Sequence, residues 1–385
     1  MREYETLHRK KAASSVIKGE ETVGNWQYAN PVRVVFGRGS FARVADAVQG
    51  RSYCLVTYSS PAVFRDLGQR LAQSAGAPAL VIDNVAANPD FIGLVQSCHQ
   101  YARATTKPEI IVALGGGSVL DAAKVLSAAD GDFARVRAYL ETGKGSLASV
   151  PIIAVPTTAG TGSEVTCWAT VWDTEAKKKY SLSDPAFFPV QAIVDPELTL
   201  AAPRALTVST GLDALSHALE SIWNVNANPA SSALAVAAAR LVIDNLPRLA
   251  GDLGNIDLRE AMSRASTLAG LAFSNTRTAL AHSLSYHLTL HHGVPHGIAC
   301  SFSLPMVMRA VIGCDPACDD ALRAIFGPDL AAGAARLDQM LEELGVSTRA
   351  RDHGVDEADW TGLIDDALAG ERGRNFIGRR PAAAE

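Results

Sequence analysis

The chain has 385 residues, 48% of them apolar and 19% charged, with a formal net charge of −5. This is more chain than one small core organises, which predicts two domains, and the acidic balance speaks against a nucleic-acid partner, whose footprint would be a basic patch. No run approaches the ~20 apolar residues of a membrane span, and no apolar segment follows the charges at the start, so neither a membrane anchor nor a secretory signal is expected.

The basic run His8-Arg9-Lys10-Lys11 reads as a solvated arm. Short β-branched runs then alternate with amphipathic stretches. Strands are predicted at Ser52–Thr57, Ala79–Asp83, Ile110–Leu114, Ile152–Val155 and Ala192–Val194, with helices at Pro61–Ala75, Asp90–Thr105 and Val119–Ala129. That rhythm predicts βαβ units on a parallel sheet. Val165–Trp172 alternates and predicts a further strand, with Lys178–Ser183 as its hairpin partner across Asp173–Lys177. After Asp195-Pro196 the chain turns Ala- and Leu-rich, and helical spacing predicts helices near Val208–Asn224, Pro229–Asn245, Arg259–Phe273 and Thr278–His291. The expected architecture is an α/β domain over residues 1–200 and an all-helical domain over 201–385, with the catalytic cleft between them. Cys54, Cys98, Cys167, Cys300, Cys314 and Cys318 lack C-x-x-C spacing. They read as buried or idle thiols of a reducing, cytoplasmic compartment, neither a disulfide frame nor a thiolate metal site.

Two loops carry the first chemical signal. Ile110–Leu114 runs into Gly115-Gly116-Gly117-Ser118, where Ser118 is expected to cap a helix, with Asp121 completing a capping-box spacing. Glycines admit a diphosphate close to the backbone, and a helix N-terminus adds partial positive charge. The pattern is neither G-x-G-x-x-G nor a Walker loop. Pro156–Glu164 also leaves a strand and supplies Thr157, Thr158, Thr161 and Ser163 as hydroxyl donors. Each loop alone has an ordinary explanation as a turn or a polar surface loop; together they favour a dinucleotide.

The second signal is a ligand set. Asp213 and His217 are four apart on a helical stretch and share a face. His282 lies on another apolar helix, and His296 follows a Pro-Gly bend. One carboxylate and three imidazoles suit a borderline divalent ion such as Fe(II) or Zn(II).

The motifs GGGSVLDAAK (Gly115–Lys124), PTTAGTGSEVT (Pro156–Thr166), TGLDALSHALE (Thr210–Glu220) and the stretch Ala272–Gly297 resemble, in order and spacing, the iron-containing (group III) alcohol dehydrogenases with a dehydroquinate synthase-like fold. The resemblance covers most of residues 30–310 and implies a metal held by Asp213, His217, His282 and His296. It implies cofactor contacts at Gly116, Gly117, Ser118, Asp121, Thr157, Thr158 and Thr161, with Lys179, Tyr58 and Asn88 as further candidates. Relatives are often dimers or larger, so a homo-oligomer is expected. Many relatives place a histidine four residues after the third ligand; here that position is Tyr286, with His287 beside it, and these two are the candidate catalytic groups. NAD-preferring relatives carry an aspartate at the end of the first strand, where this chain reads Thr57-Tyr58-Ser59-Ser60, so NADP(H) is expected over NAD(H). Arg277, near His282, is the candidate clamp for an anionic substrate group. Asn275-Thr276-Arg277-Thr278 with Ser285-Tyr286 resembles the phosphonoacetaldehyde reductase branch, which implies reduction of phosphonoacetaldehyde to 2-hydroxyethylphosphonate. The alternatives are a dehydrogenase of simple alcohols or diols and, more remotely, a dehydroquinate synthase-like lyase or a silent binding protein.

Overall fold

The computed structural model describes residues 25–382; the basic run at residues 8–11 lies outside them. Its strands are β1 (Arg33–Phe36), β2 (Tyr53–Val56), β3 (Leu80–Ile82), β4 (Ile110–Gly115), β5 (Ile152–Pro156), β6 (Trp168–Asp173), β7 (Lys178–Ser183) and β8 (Gln191–Val194). Six form one parallel sheet in the order β1-β8-β5-β4-β2-β3, while β6 and β7 pair antiparallel as a separate ribbon. Every residue of β2, β4 and β5 is buried, as expected of strands covered on both faces. The covering helices are α1 (Val44–Val48), α2 (Ala62–Ala75), α3 (Phe91–Ala102), α4 (Gly117–Ala129) and α5 (Phe133–Thr142).

From Arg204 onward the described chain is helical apart from its connections: α6 (Arg204–Ile222), α7 (Pro229–Gly251), α8 (Ile256–Thr276), α9 (Leu280–His292), α10 (His296–Ser301), α11 (Leu304–Val311), α12 (Pro316–Phe326), α13 (Leu330–Glu343) and α14 (Glu357–Ala369). Their common core includes Leu212, Leu215, Leu219, Val242, Leu246 and Met262. No helix of the described residues is long and apolar enough to cross a membrane.

Three local expectations are corrected. Gly116, not Ser118, is the N-cap of α4, and Ser118 Oγ instead accepts from the Asn88 amide at 3.2 Å. The helix expected from Thr278 begins at Leu280, because Arg277 sits at φ 66°, ψ 178° and Ala279 at φ −128°, ψ −135°. The helix expected to stop at Asn245 continues through Pro247 to Gly251, since Leu246 and Leu249 are fully buried and packing outweighs the proline. β1, a four-residue edge strand, carried no clear sequence signal.

Candidate active site

The carboxyl ends of β4 and β5, the usual binding edge of an open parallel sheet, open into a cleft of about 820 Å³ whose far wall comes from α6, α8, α9 and the segment after α14. Gly116 caps α4 without a side-chain bond, so the first helical amides are left for a ligand at the cleft wall. Gly117 has no room for anything larger: a Cβ there would lie 2.6 Å from Thr161 Cγ2. The two donor-rich loops are therefore in contact across the cleft floor. Thr157, Thr158 and Thr161 line it, and Tyr58 and Asn88 border it beyond Ser118.

Two buried charges on α4 hold the second loop in place. Lys124 Nζ donates to Ser163 O and Oγ, each at 2.7 Å, and to Trp168 O at 2.8 Å. Burial pushes the Lys124 ammonium down to about 8, against the pull of Asp121. The Asp121 carboxylate accepts from Ser163 Oγ at 2.8 Å and Thr170 N at 2.9 Å. Asp121 reaches the cleft as part of its wall, with one oxygen committed to the loop at Ser163 and the other to Thr170 of β6. Lys124 lay within the sequence motif, but its role appears only when Ser163 and Trp168 fold back onto it.

The polar cluster lies deeper, on the helical side. Asp213 and His217 come from α6, His282 from α9 and His296 from the start of α10. Asp213 Oδ1 is 3.5 Å from His282 Nε2, 3.8 Å from His217 Nε2 and 3.9 Å from His296 Nε2. Asp213 Oδ1, His282 Nε2 and His217 Nδ1 are buried without a hydrogen-bond partner. Orphaned buried atoms cost about 1–3 kcal/mol each unless something satisfies them, and a carboxylate facing imidazole nitrogens is a donor set for a divalent cation. The residues present fit such an ion.

Glu220, one turn beyond His217, was not singled out in the sequence. Its buried carboxylate accepts from the amides of Ala279, Ala281 and His282 at 2.9, 2.6 and 3.2 Å, and lies 2.6 Å from His282 Nδ1. With the Nδ1 proton directed to Glu220, His282 presents the Nε2 lone pair to the cluster, the outer-partner arrangement that orients metal-bound histidines. The same bonds secure the first turn of α9. Burial holds His217 down to about 4 and lowers His296 as well, so both imidazoles are neutral donors. Asp213 is held below the usual carboxylate range: burial opposes ionisation, but His217 and its neighbours outweigh it. Phe273 stacks on His217 at 4.0 Å and closes that side.

At the mouth, positive charge collects. Lys179 Nζ lies 3.8 Å from the centre of the Tyr286 ring, and the Arg372 guanidinium covers the same ring at 5.1 Å. Arg372 donates to Thr278 Oγ1 at 2.6 Å. Burial pushes the Lys179 ammonium down, and Arg372 adds to that while Tyr286 opposes it. Arg277 borders the cleft but is exposed, and its Nη1 is 3.5 Å from Glu371. Neither Tyr286 nor His287 is among the residues that line the cleft: the Tyr286 hydroxyl is buried without a hydrogen-bond partner, and His287 packs against His291 and His292. Arg372, Glu371 and Asn375 come from a segment to which the sequence assigned nothing.

A cleft with a glycine turn at a helix N-terminus, a buried donor cluster and two cations on its wall can hold a dinucleotide and a small polar substrate against one metal ion. The sequence pattern of the iron-containing alcohol dehydrogenases matches residues 31–196, and that of the C-terminal part of the Fe-containing alcohol dehydrogenase family matches residues 207–378. A 1,3-propanediol dehydrogenase of Klebsiella pneumoniae is 34% identical over 77% of this chain and 78% of its own. A phosphonoacetaldehyde reductase of Streptomyces viridochromogenes is 33% identical over 70% of this chain and 72% of its own. The crystal structure of sulfoacetaldehyde reductase from Bifidobacterium kashiwanohense in complex with NAD+ superposes with a TM-score of 0.85 at 33% identity, covering 92% of this chain and 95% of that one.

Proposed function

The chain belongs to the iron-containing alcohol dehydrogenase family, and we propose that it reduces a small aldehyde bearing an anionic group, phosphonoacetaldehyde being the best single candidate. The observation that carries this is the pair of cations, Lys179 and Arg372, on one tyrosine ring at the cleft mouth. Two like charges in a partly desolvated site repel each other, and a phosphonate or sulfonate between them relieves that repulsion. A guanidinium binds such a group in bidentate fashion. Two relatives named for phosphonoacetaldehyde and sulfoacetaldehyde support the same substrate class.

In this reading residues 1–200 form the dinucleotide-binding domain and 201–385 the metal-binding domain. Asp213, His217, His282 and His296 hold the ion, and the Gly116–Ser118 turn with Thr157, Thr158 and Thr161 holds the dinucleotide. The bound groups supply a hydride and a Lewis acid for the carbonyl oxygen. The protein supplies position: Glu220 fixes the His282 ring, Phe273 excludes water beside His217, and Arg372 anchors the anionic end so that the carbonyl reaches the cluster. Tyr286 acts as the wedge that orders the two cations. NADP(H) is the preferred dinucleotide, because the turn Thr57–Ser60 after β2 contains no carboxylate to repel a 2′-phosphate.

Oxidation of NADPH and of NADH by the metal-loaded enzyme, with phosphonoacetaldehyde, propanal and glycolaldehyde, tests both points. A kcat/KM at least about tenfold higher for the phosphonate is expected, about 1.4 kcal/mol of transition-state binding. Equal or better turnover of propanal would leave a dehydrogenase of simple alcohols or diols.

A further inference from the structure

We propose that Thr278 is a positioning residue that fixes the distance between the metal site and the substrate's anionic end, so that the enzyme selects anionic aldehydes by chain length. The inference rests on the reading that Arg372 anchors the anion.

Arg372 lines the cleft without a carboxylate partner. Glu371, its neighbour in the chain, pairs with Arg277 instead. Among the described residues, the hydrogen bond that orients the Arg372 guanidinium is the one from Nη1 to Thr278 Oγ1, at 2.6 Å. A guanidinium carries five N–H donors in a rigid fork. This bond commits one of them and leaves the rest of the fork free at the cleft wall. Thr278 is itself buried, so the acceptor that aims the fork is shielded from water.

The same residue is tied to the metal side. Thr278 directly precedes Ala279, whose amide donates to Glu220. His282 follows in the first turn of α9, with its amide and its ring on the same carboxylate. Asn224 Nδ2 holds the corner from α6 by donating to Arg277 O at 3.2 Å. From the opposite side, Asn375 Nδ2 donates to Thr278 O at 2.9 Å. Gly373 folds that segment back onto the end of α14: a Cβ there would lie 2.0 Å from Ala367 O. Thr278 therefore joins the anion anchor and a metal-facing histidine in one frame. With both ends of the substrate held, a methylene too many costs roughly 10–200-fold in kcat/KM.

The test is steady-state kinetics of the metal-loaded, full-length enzyme with phosphonoacetaldehyde, its homologue one methylene longer, and propanal. The wild type should favour phosphonoacetaldehyde over each of the others by at least about tenfold in kcat/KM. Thr278→Val keeps the volume and removes the hydroxyl. Its KM for phosphonoacetaldehyde should rise about tenfold, as for a lost hydrogen bond to a charged group, and the gap between the two phosphonates should largely close. Thr278→Ser, which keeps the hydroxyl, should restore both. A wild type that favours phosphonoacetaldehyde over propanal without separating the two phosphonates, or a gap that survives in Thr278→Val, overturns the proposal and leaves Arg372 as the anchor. Loss of metal affinity in chelator competition together with turnover of all three aldehydes, unrestored by Thr278→Ser, marks a merely structural corner and overturns it as well. Should Thr278→Val not fold, Arg372→Lys decides: an ammonium keeps the charge but has no fork, so the gap should close, and a persistent gap overturns the proposal. A wild type that turns over propanal as well as phosphonoacetaldehyde overturns the anionic-substrate reading and the proposal with it.

Discussion

The two walls of the cleft are built from different materials. On the sheet side, shape comes from missing side chains: Gly116 and Gly117 bring the backbone up to the second loop, and the polar groups are amides and hydroxyls on connections. On the helical side, shape comes from side chains rooted in long helices, where Asp213, His217 and His282 project from α6 and α9 and His282 is braced by Glu220. A wall made of backbone is sensitive to added volume. A wall made of side chains is sensitive to lost partners. Substitutions should therefore separate dinucleotide binding from metal binding.

The largest effect is expected at Glu220. Glu220→Ala removes the acceptor of three amides and of His282 Nδ1. Metal affinity should fall about 10–100-fold, and stability by about 3 kcal/mol or more, because three buried amides lose their acceptor at about 1–3 kcal/mol each. Chelator competition and denaturant unfolding read the two quantities. Unchanged metal affinity would mean that the brace is not needed. On the opposite wall, Gly117→Ala drives a methyl group into Thr161. An overpacking cost of about 1–3 kcal/mol should weaken dinucleotide binding roughly tenfold in a fluorescence titration and leave metal affinity alone. If both fall together, the walls are not separable.

Lys124→Met should cost about 1–3 kcal/mol by stranding the Ser163 and Trp168 carbonyls. Because the folded ammonium titrates near 8, below the ordinary lysine value of about 10.4, the unfolded chain binds more protons between those two points. The wild type should thus gain stability as pH rises through that window, and the variant should not. Parallel denaturant curves at both ends of the window check this. The smallest effects belong to the mouth. Arg372→Ala should raise KM for an anionic aldehyde more than Arg277→Ala, since Arg277 is already exposed and engaged by Glu371. The reverse order would return the clamp to Arg277.

The same contrast explains what could be read in advance. The strands of the sheet interior and the glycine turn were legible because burial on both faces and close backbone approach each demand particular residue types locally. Asp213, His217, His282 and His296 were legible as rare polar residues on apolar helices, and the structure gathers them around one carboxylate. Glu220 was not, because its function depends on the start of a helix some sixty residues later. Tyr286 and His287 were marked by their spacing from His282, which does not say whether a side chain reaches the cleft, and neither lines it. Arg372 carried no pattern at all, only a position reached when the segment after α14 packs beside α9.

The backbone of Arg277 has a further consequence. Its φ of 66° and ψ of 178° fall in a region that essentially only glycine occupies without penalty, a strain of order 1–3 kcal/mol. Yet this is the corner at which α8 ends and the chain turns so that Glu220 can receive the amides of α9. Arg277→Gly would therefore supply the residue the corner prefers and lose only an exposed ion pair with Glu371, so thermal tolerance should rise while preference for an anionic substrate changes little. Anyone selecting this enzyme for robustness alone would be drawn to that exchange, and Arg372 would keep the discrimination.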